Sequence, residues 1–115
     1  MIRQNDDLHG IADALIAATN AFDVERALAL FAPDAVIDDP STGHRFDGHA
    51  GIRDYIERYF VGYHTATRIL SIKKSGSRRA SVRVDFTGGF GHEIGLLKIS
   101  ADDHGLIERI DAGLE

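Results

Sequence analysis

Apolar residues recur at helical intervals in the first half of the chain and at alternate positions in the second half. Residues 8–22 and 24–31 each repeat apolar positions at spacings of three and four, which predicts two helices with one buried face each. Pro33 prevents the second helix from continuing. Residues 52–60 show the same spacing and predict a third helix. We therefore expect three helices before the chain changes its pattern.

From residue 63 onward the apolar period is two, as in β-strands. Turn signals divide this half into four strands, which predicts an antiparallel meander. The signals lie at residues 75–77, 88–89 and 102–105.

The two faces of the predicted sheet differ in chemistry. In the second strand of the meander, Val82 and Val84 alternate with Arg83 and Asp85, which places the charged pair on the opposite face from the apolar pair. The later strands carry apolar residues on both faces. Because large uncovered apolar patches are uncommon on monomers, we expect helices on the concave face and a second copy of the chain on the convex face. This arrangement would be a homodimer.

A short strand between the second and third helices ends in two adjacent carboxylates, Asp38 and Asp39. Successive side chains of a strand point to opposite faces, so only Asp39 shares the face of the apolar Ile37. Pro40 favours an extended conformation for the residue before it. Asp39 is therefore a candidate general base at the edge of an apolar layer. The alternative is that both carboxylates form a solvated strand end.

Composition limits the classes of function. The chain has 115 residues, which predicts one domain over 1–115. Its net charge of −5 argues against nucleic acid or an anionic membrane as a partner. It contains no cysteine, and its six histidines show no metal-ligand spacing, so we expect neither a metal nor a cofactor. Residues 1–7 do not resemble a signal peptide, and we expect a cytoplasmic protein.

Two segments carry a resemblance to a known family. Ala27-Leu-Ala-Leu-Phe-Ala-Pro-Asp-Ala-Val-Ile-Asp-Asp-Pro40 and Gly48-His-Ala-Gly-Ile-Arg-Asp-Tyr55 resemble the SnoaL-like polyketide-cyclase and ketosteroid-isomerase branches of the nuclear transport factor 2-like superfamily. The resemblance implies an α+β fold in which a curved antiparallel sheet wraps around three N-terminal-half helices. The result is a cone-shaped, cystatin-like barrel with a pocket.

The resemblance also implies an activity. In the isomerases the aspartate before the proline is the catalytic base, and it corresponds here to Asp39. The isomerases also use two hydrogen-bond donors to the enolate oxygen, and their positions correspond here to Leu15 and Gly95. Tyr55, Tyr59 or His92 would therefore have to donate that hydrogen bond instead. We expect an isomerase or cyclase acting on a small apolar carbonyl compound. The expected pocket residues are Ile37, Phe46, Tyr55, Tyr59 and His92.

Two alternatives remain open. The chain is also similar to limonene-type epoxide hydrolases, which implies a catalytic set of Arg83, Asp85 and Asp111, with the guanidinium holding both carboxylates. Ordinary strand alternation instead makes these three residues part of a charged outer face. The second alternative is a non-catalytic module for ligand binding or dimerisation.

Overall fold

The computed structural model describes residues 7–115 and contains three helices and six strands within that range. Residues 1–6 lie outside the described residues. The helices are α1 (Asp7–Asn20), α2 (Val24–Leu28) and α3 (Gly48–Ile56), and α3 continues into a π-helical turn, Glu57–Val61. The strands are β1 (Phe31–Asp39), β2 (His44–Asp47), β3 (Ala66–Lys74), β4 (Arg79–Gly88), β5 (Gly91–Ala101) and β6 (Ile107–Leu114).

All six strands form one curved sheet in the order β2-β1-β6-β5-β4-β3. Neighbouring strands are antiparallel except β1 and β6, which run parallel. The predicted α+β architecture, with a sheet wrapped around helices, is confirmed. The sheet does not close into a barrel, however, because β2 and β3 remain edge strands at its two ends.

The helices cover one face of the sheet, which we call the inner face. Helix α3 packs on β1, and α1 packs on β3. The side chain of Asn20, at the end of α1, joins that helix to β3 through two hydrogen bonds with the backbone of Thr67, at 2.7 and 2.9 Å. On the inner face of β4, Val82 and Val84 are buried, whereas Arg83 lies on the outer face. The core therefore lies between the helices and the inner face.

Three boundaries differ from the prediction. The second helix ends at Leu28, and Phe31 instead begins β1, where it is buried. Phe22, expected on the buried stripe of the first helix, lies beyond the end of α1 with φ of 57° and is exposed. The segment after β1, expected to be a loop, contains β2, which pairs with β1. Only Phe46 of β2 is buried, and a four-residue strand with one buried side chain is too short to show an alternating pattern.

Candidate functional site

Asp39 is the last residue of β1 and points to the inner face, with only 7% of its surface exposed. Its neighbour Asp38 points to the outer face, where its carboxylate lies 3.3 Å from the guanidinium of Arg109. Asp39 has an extended backbone, and Pro40 begins a short 3-10 turn directly after it. Strand parity and proline chemistry together place one of the two acids inside the molecule.

Three donors hold the Asp39 carboxylate. Oδ1 accepts hydrogen bonds from the backbone N–H and the hydroxyl of Ser41, at 3.0 and 2.6 Å, and Oδ2 accepts one from the Tyr55 hydroxyl at 2.7 Å. The Ser41 bonds follow from the turn, which brings its N–H back toward the strand end. The Tyr55 bond comes from α3, so the site joins β1 to that helix. A carboxylate offers about four acceptor positions, and one position on Oδ2 remains open.

Tyr55 is buried beside this negative charge. Burial raises the pKa of Tyr55 well above its usual value of 10.0, and the charge of Asp39 and the hydrogen bond to it act in the same direction. The phenol therefore keeps its proton and acts as a hydrogen-bond donor to Asp39.

Asp39 and Tyr55 lie at one side of an open cleft of about 430 Å³. The lining combines aromatic rings with hydroxyl and carboxylate groups, a composition suited to a small organic molecule. The lining residues are Asp39, Ser41, Thr42, Tyr55, Tyr59, Phe60, Tyr63, Thr65, Phe86, Phe90, Glu93 and Leu114.

A second, smaller cavity of about 30 Å³ lies deeper in the core. Tyr55 and Phe60 line both spaces and therefore separate the cavity from the cleft. The rest of its lining is almost wholly apolar, because the hydroxyl of Thr19 donates to the backbone of its own helix. The remaining lining residues are Leu15, Ile16, Thr19, Phe31, Ile37, Ile56, Leu97 and Ile110.

The two positions that the resemblance assigns to the isomerases' hydrogen-bond donors, Leu15 and Gly95, are both part of the packed interior. Leu15 is buried and lines the inner cavity. At Gly95 an added Cβ would lie only 2.5 Å from a ring carbon of Phe86, so the ring fills the space that a side chain would need. Phe86 itself lines the cleft. An aromatic ring therefore occupies the space beside Gly95 on this wall.

The structure does not bring Arg83, Asp85 and Asp111 together. Each of the three residues is on the outer face and has a partner of its own. The guanidinium of Arg83 bonds Glu115 at 2.9 Å, and the carboxylate of Asp111 bonds Arg109 at 2.9 Å. The expected arrangement, in which Arg83 holds both carboxylates, is absent among the described residues, and strand alternation accounts for the difference.

Asp85 has different partners from the other two. Its carboxylate lies 3.2 Å from Arg68 and 2.8 Å from the ring of His92. His92 therefore lies on the outer face too, and it was wrongly expected in the pocket. Its neighbour Glu93 lines the cleft instead. Because of the turn between β4 and β5, the sequence did not show which of these two neighbours faces the pocket. In the structure Glu93 pairs with Phe86, which lines the cleft, so Glu93 faces the cleft and His92 faces outward.

The other expected pocket residues lie near Asp39. Tyr55 and Tyr59 line the cleft, and Ile37 lines the inner cavity. Phe46 is buried behind them, with its ring centre 4.9 Å from that of Tyr55. The sequence pattern missed Ser41, Tyr63, Phe86 and Phe90, and it left open whether His92 or Glu93 enters the pocket. Of these, only Ser41 had a local signal, since a serine two residues after an aspartate often bonds it in a turn.

Among residues 7–115, no three side chains of His, Asp or Glu converge closely enough to hold a metal ion. In the same range, no helix has the length and apolar character required to cross a bilayer.

Comparison with known proteins places the chain in a family. The model of the SnoaL-like domain matches residues 12–106. The chain belongs to the SnoaL-like family. A search of curated proteins gave no match.

Solved structures agree with this SnoaL-like fold. A candidate polyketide cyclase from Sinorhizobium meliloti is 25% identical, with a TM-score of 0.83, over 96% of this chain and 99% of the other. A candidate ketosteroid isomerase from Kribbella flavida is 22% identical, with a TM-score of 0.84, over 96% and 79%. A Mycobacterium tuberculosis protein in complex with estradiol-17beta-hemisuccinate is 17% identical, with a TM-score of 0.80, over 95% and 93%.

Proposed function

We propose that this chain is an acid–base isomerase or cyclase that acts on a small apolar carbonyl compound, with Asp39 as the general base. The observation that carries the proposal is a buried carboxylate, fixed by three hydrogen bonds, in the wall of a cleft of about 430 Å³. A cleft of this size accommodates a small organic ligand. The isomerase and cyclase likenesses of the family support the same class of reaction.

The hydrogen bonds around Asp39 suggest how the base would work. Ser41 and Tyr55 fix both carboxylate oxygens, and the open acceptor position on Oδ2 would receive a proton from a carbon next to the ligand's carbonyl group. The electron pair of that C–H bond would move to the carbonyl and form an enolate. Return of the proton at another carbon completes an isomerisation, whereas attack of the enolate on a second electrophilic carbon completes a cyclisation.

The enolate oxygen needs a donor, and we propose Tyr59. The hydroxyl of Tyr55 already bonds Asp39, and His92 lies on the outer face. Tyr59 lines the same cleft, with its ring centre 5.3 Å from that of Tyr55. Hydrogen bonds aimed at a developing oxyanion are commonly the largest single contribution to such reactions. Tyr59 therefore takes the place of the donors absent at Leu15 and Gly95.

The test uses cyclohex-3-en-1-one, whose conversion to the conjugated cyclohex-2-en-1-one is followed by ultraviolet absorbance. Replacing Asp39 with asparagine keeps the shape of the side chain and removes the base, so we expect turnover to fall by about 10²–10⁴-fold. Asp38→Asn is the matched control, because this carboxylate belongs to the same strand end and faces away from the cleft. An Asp39→Asn variant as active as Asp38→Asn would rule out the proposed base.

We further propose that two copies pair through the outer face of the sheet. The apolar Val36, Ile94 and Leu96 are only half-buried on that face. Around them lie both carboxylates and guanidinium groups, such as the Asp38–Arg109 and Arg83–Glu115 pairs. A two-fold interface places each such patch against its own copy, so acids of one chain can meet bases of the other.

A further inference from the structure

The cleft is lined by a continuous row of aromatic side chains. It includes all three tyrosines of the chain and three of its six phenylalanines. Neighbouring ring centres are between 5.3 and 6.3 Å apart along the whole row. The aromatic row runs in the order Phe86, Phe60, Tyr55, Tyr59, Tyr63, Phe90.

The charged groups of the same cleft have one sign. Asp39 and Glu93 belong to its lining, and none of the described residues that line it is Lys, Arg or His. Glu93 is exposed and pairs in register with Phe86, at the open side of the cleft. Two histidines close in sequence to lining residues have other neighbours: the ring of His92 lies 2.8 Å from Asp85 on the outer face, and the ring of His44 packs on Phe46. The cleft is therefore a region of negative potential.

Aromatic faces and carboxylates attract the same kind of ligand. The face of an aromatic ring carries partial negative charge and binds cations, most effectively organic ammonium ions that hold their water weakly. Carboxylates in a cleft add a field of the same sign and raise the local concentration of cations. A neutral ligand without a hydrogen-bond donor, or an anionic ligand, would leave the Glu93 carboxylate without a partner if the carboxylate were desolvated.

We propose that the cleft binds an organic cation, a small molecule with a tertiary or quaternary ammonium group. The ammonium group would lie at the open side of the cleft, against Tyr63, Phe90 and Glu93, which are all exposed there. The rest of the molecule would extend toward Asp39 and Tyr55. This inference rests on the proposed function only in taking the Asp39 cleft as the ligand site. If both hold, the part of the substrate that carries the carbonyl group and reaches Asp39 is apolar, and the ammonium group is attached at its other end.

The experiment compares choline with 3,3-dimethylbutan-1-ol, which has nearly the same shape and no charge. All three tyrosines line the cleft and the chain has no tryptophan, so intrinsic tyrosine fluorescence reports directly on this site. Both compounds are titrated at constant chloride concentration. We expect choline to bind at least about tenfold more tightly than the alcohol. Equal affinity, tighter binding of the alcohol, or binding of neither would overturn the inference.

Two variants distinguish a direct contact between the ammonium group and Glu93 from the overall electrostatic field of the protein. They are Glu93→Gln and Glu108→Gln. Both variants remove one negative charge from an exposed strand position, and Glu108 does not belong to the cleft lining. We expect the preference for choline to fall several-fold in Glu93→Gln and to stay unchanged in Glu108→Gln. Equal losses in the two folded variants would contradict the assigned site. Choline undergoes no proton transfer at carbon here, so a failed titration and a failed turnover assay are separate results.

Discussion

Asp38 and Asp39 differ only in which face of β1 they occupy, and this difference sets the surroundings of each carboxylate. Asp38 meets a guanidinium on the half-exposed outer face, where ion pairs contribute little to stability. Asp39 meets hydroxyls and a backbone N–H in a nearly buried position. If Asp39 is the proposed base, an uncharged set of donors leaves an acceptor position free for the ligand's proton, whereas an ion pair would compete for that oxygen.

Replacing Tyr55 with phenylalanine tests how strongly the phenol is tied to the site. Because burial and Asp39 raise the pKa of Tyr55 well above 10.0, the folded protein keeps this proton at pH values where the unfolded chain loses it. The contribution of Tyr55 to the free energy of unfolding of the natural chain should therefore be constant below pH 10. Above pH 10 this contribution should fall by about 1.4 kcal/mol per pH unit. The measurement is urea unfolding between pH 7 and 11.

Tyr55→Phe should lack this alkaline loss, and Tyr63→Phe, which removes an exposed phenol, should retain it. At pH 7 the Tyr55→Phe variant should also be less stable by about 1.5–3 kcal/mol, since a hydrogen bond to a charged group is removed. Parallel alkaline curves for the natural chain and Tyr55→Phe would show that the phenol is not held as described.

Sequence could predict the orientation of Asp39 but not its partners. Alternation along β1 and the adjacent proline are local signals, and they were sufficient to select Asp39 over Asp38. The bond to Tyr55 joins residues 16 positions apart, on a strand and a helix whose packing no local pattern defines. The same limit applies to His92 and Glu93, whose faces depend on the register across a glycine-rich turn.

At the scale of elements, β4 and β5 form the wall of the cleft opposite Asp39, and their fit depends on Gly95. This residue pairs with Val84 on one side and Leu114 on the other, and the ring of Phe86 lies over it. A polar side chain at this position would have to displace that ring. The packing of the two strands therefore leaves no room for a polar side chain at position 95.

Gly95→Ala should destabilise the protein by about 1–3 kcal/mol, because the new methyl group overlaps Phe86. Gly113→Ala is the matched control, since an added Cβ there has no atom within 4 Å. Adding Phe86→Leu to Gly95→Ala should recover part of the loss. Thermal or urea unfolding of the natural chain, Gly95→Ala, Phe86→Leu and the double variant gives the coupling energy, and a value near zero would contradict the overlap.

Elements with long repeats were predicted more reliably than short ones. The helical period of α1 and the alternation in β4 extend over enough residues to identify both elements. The four residues of β2 contain a single buried side chain, and pairing with β1 is what makes them a strand. The start of β1 was also missed, because the exposed Pro33 interrupts its pattern and a bulge shifts its register with β6.

At the scale of the whole molecule, the side of the sheet that the helices cover decides whether its charged residues line the cavity or form the outer surface. Alternation predicted that Arg83 and Asp85 share a face, and they do. It could not say whether that face lines the cavity, because this depends on which side of the sheet the helices cover. The helices cover the other side, and the charged residues with Leu96 form an outer surface.

Leu96→Glu should weaken the proposed pairing of two copies. Leu96 lies between Arg83 and Gly113 in the middle of the outer face, so a glutamate there would face its own copy across a two-fold axis. Sedimentation velocity should find the natural chain at twice the mass of one chain and the folded Leu96→Glu variant as a monomer. A natural chain that remains monomeric at high concentration would contradict the proposed interface.

Exchange of hydrogen at carbon tests the role of Asp39 as the general base most directly. Any isomerase or cyclase of the proposed kind must remove a proton next to a carbonyl, whatever product it forms. In D₂O, nuclear magnetic resonance follows the replacement of the C2 protons of cyclohex-3-en-1-one by deuterium. If Asp39 is the base, the natural chain and Asp38→Asn accelerate this exchange, and Asp39→Asn loses about 10²–10⁴-fold of the acceleration. Equal exchange rates for Asp39→Asn and the natural chain would contradict the assignment of Asp39 as the base.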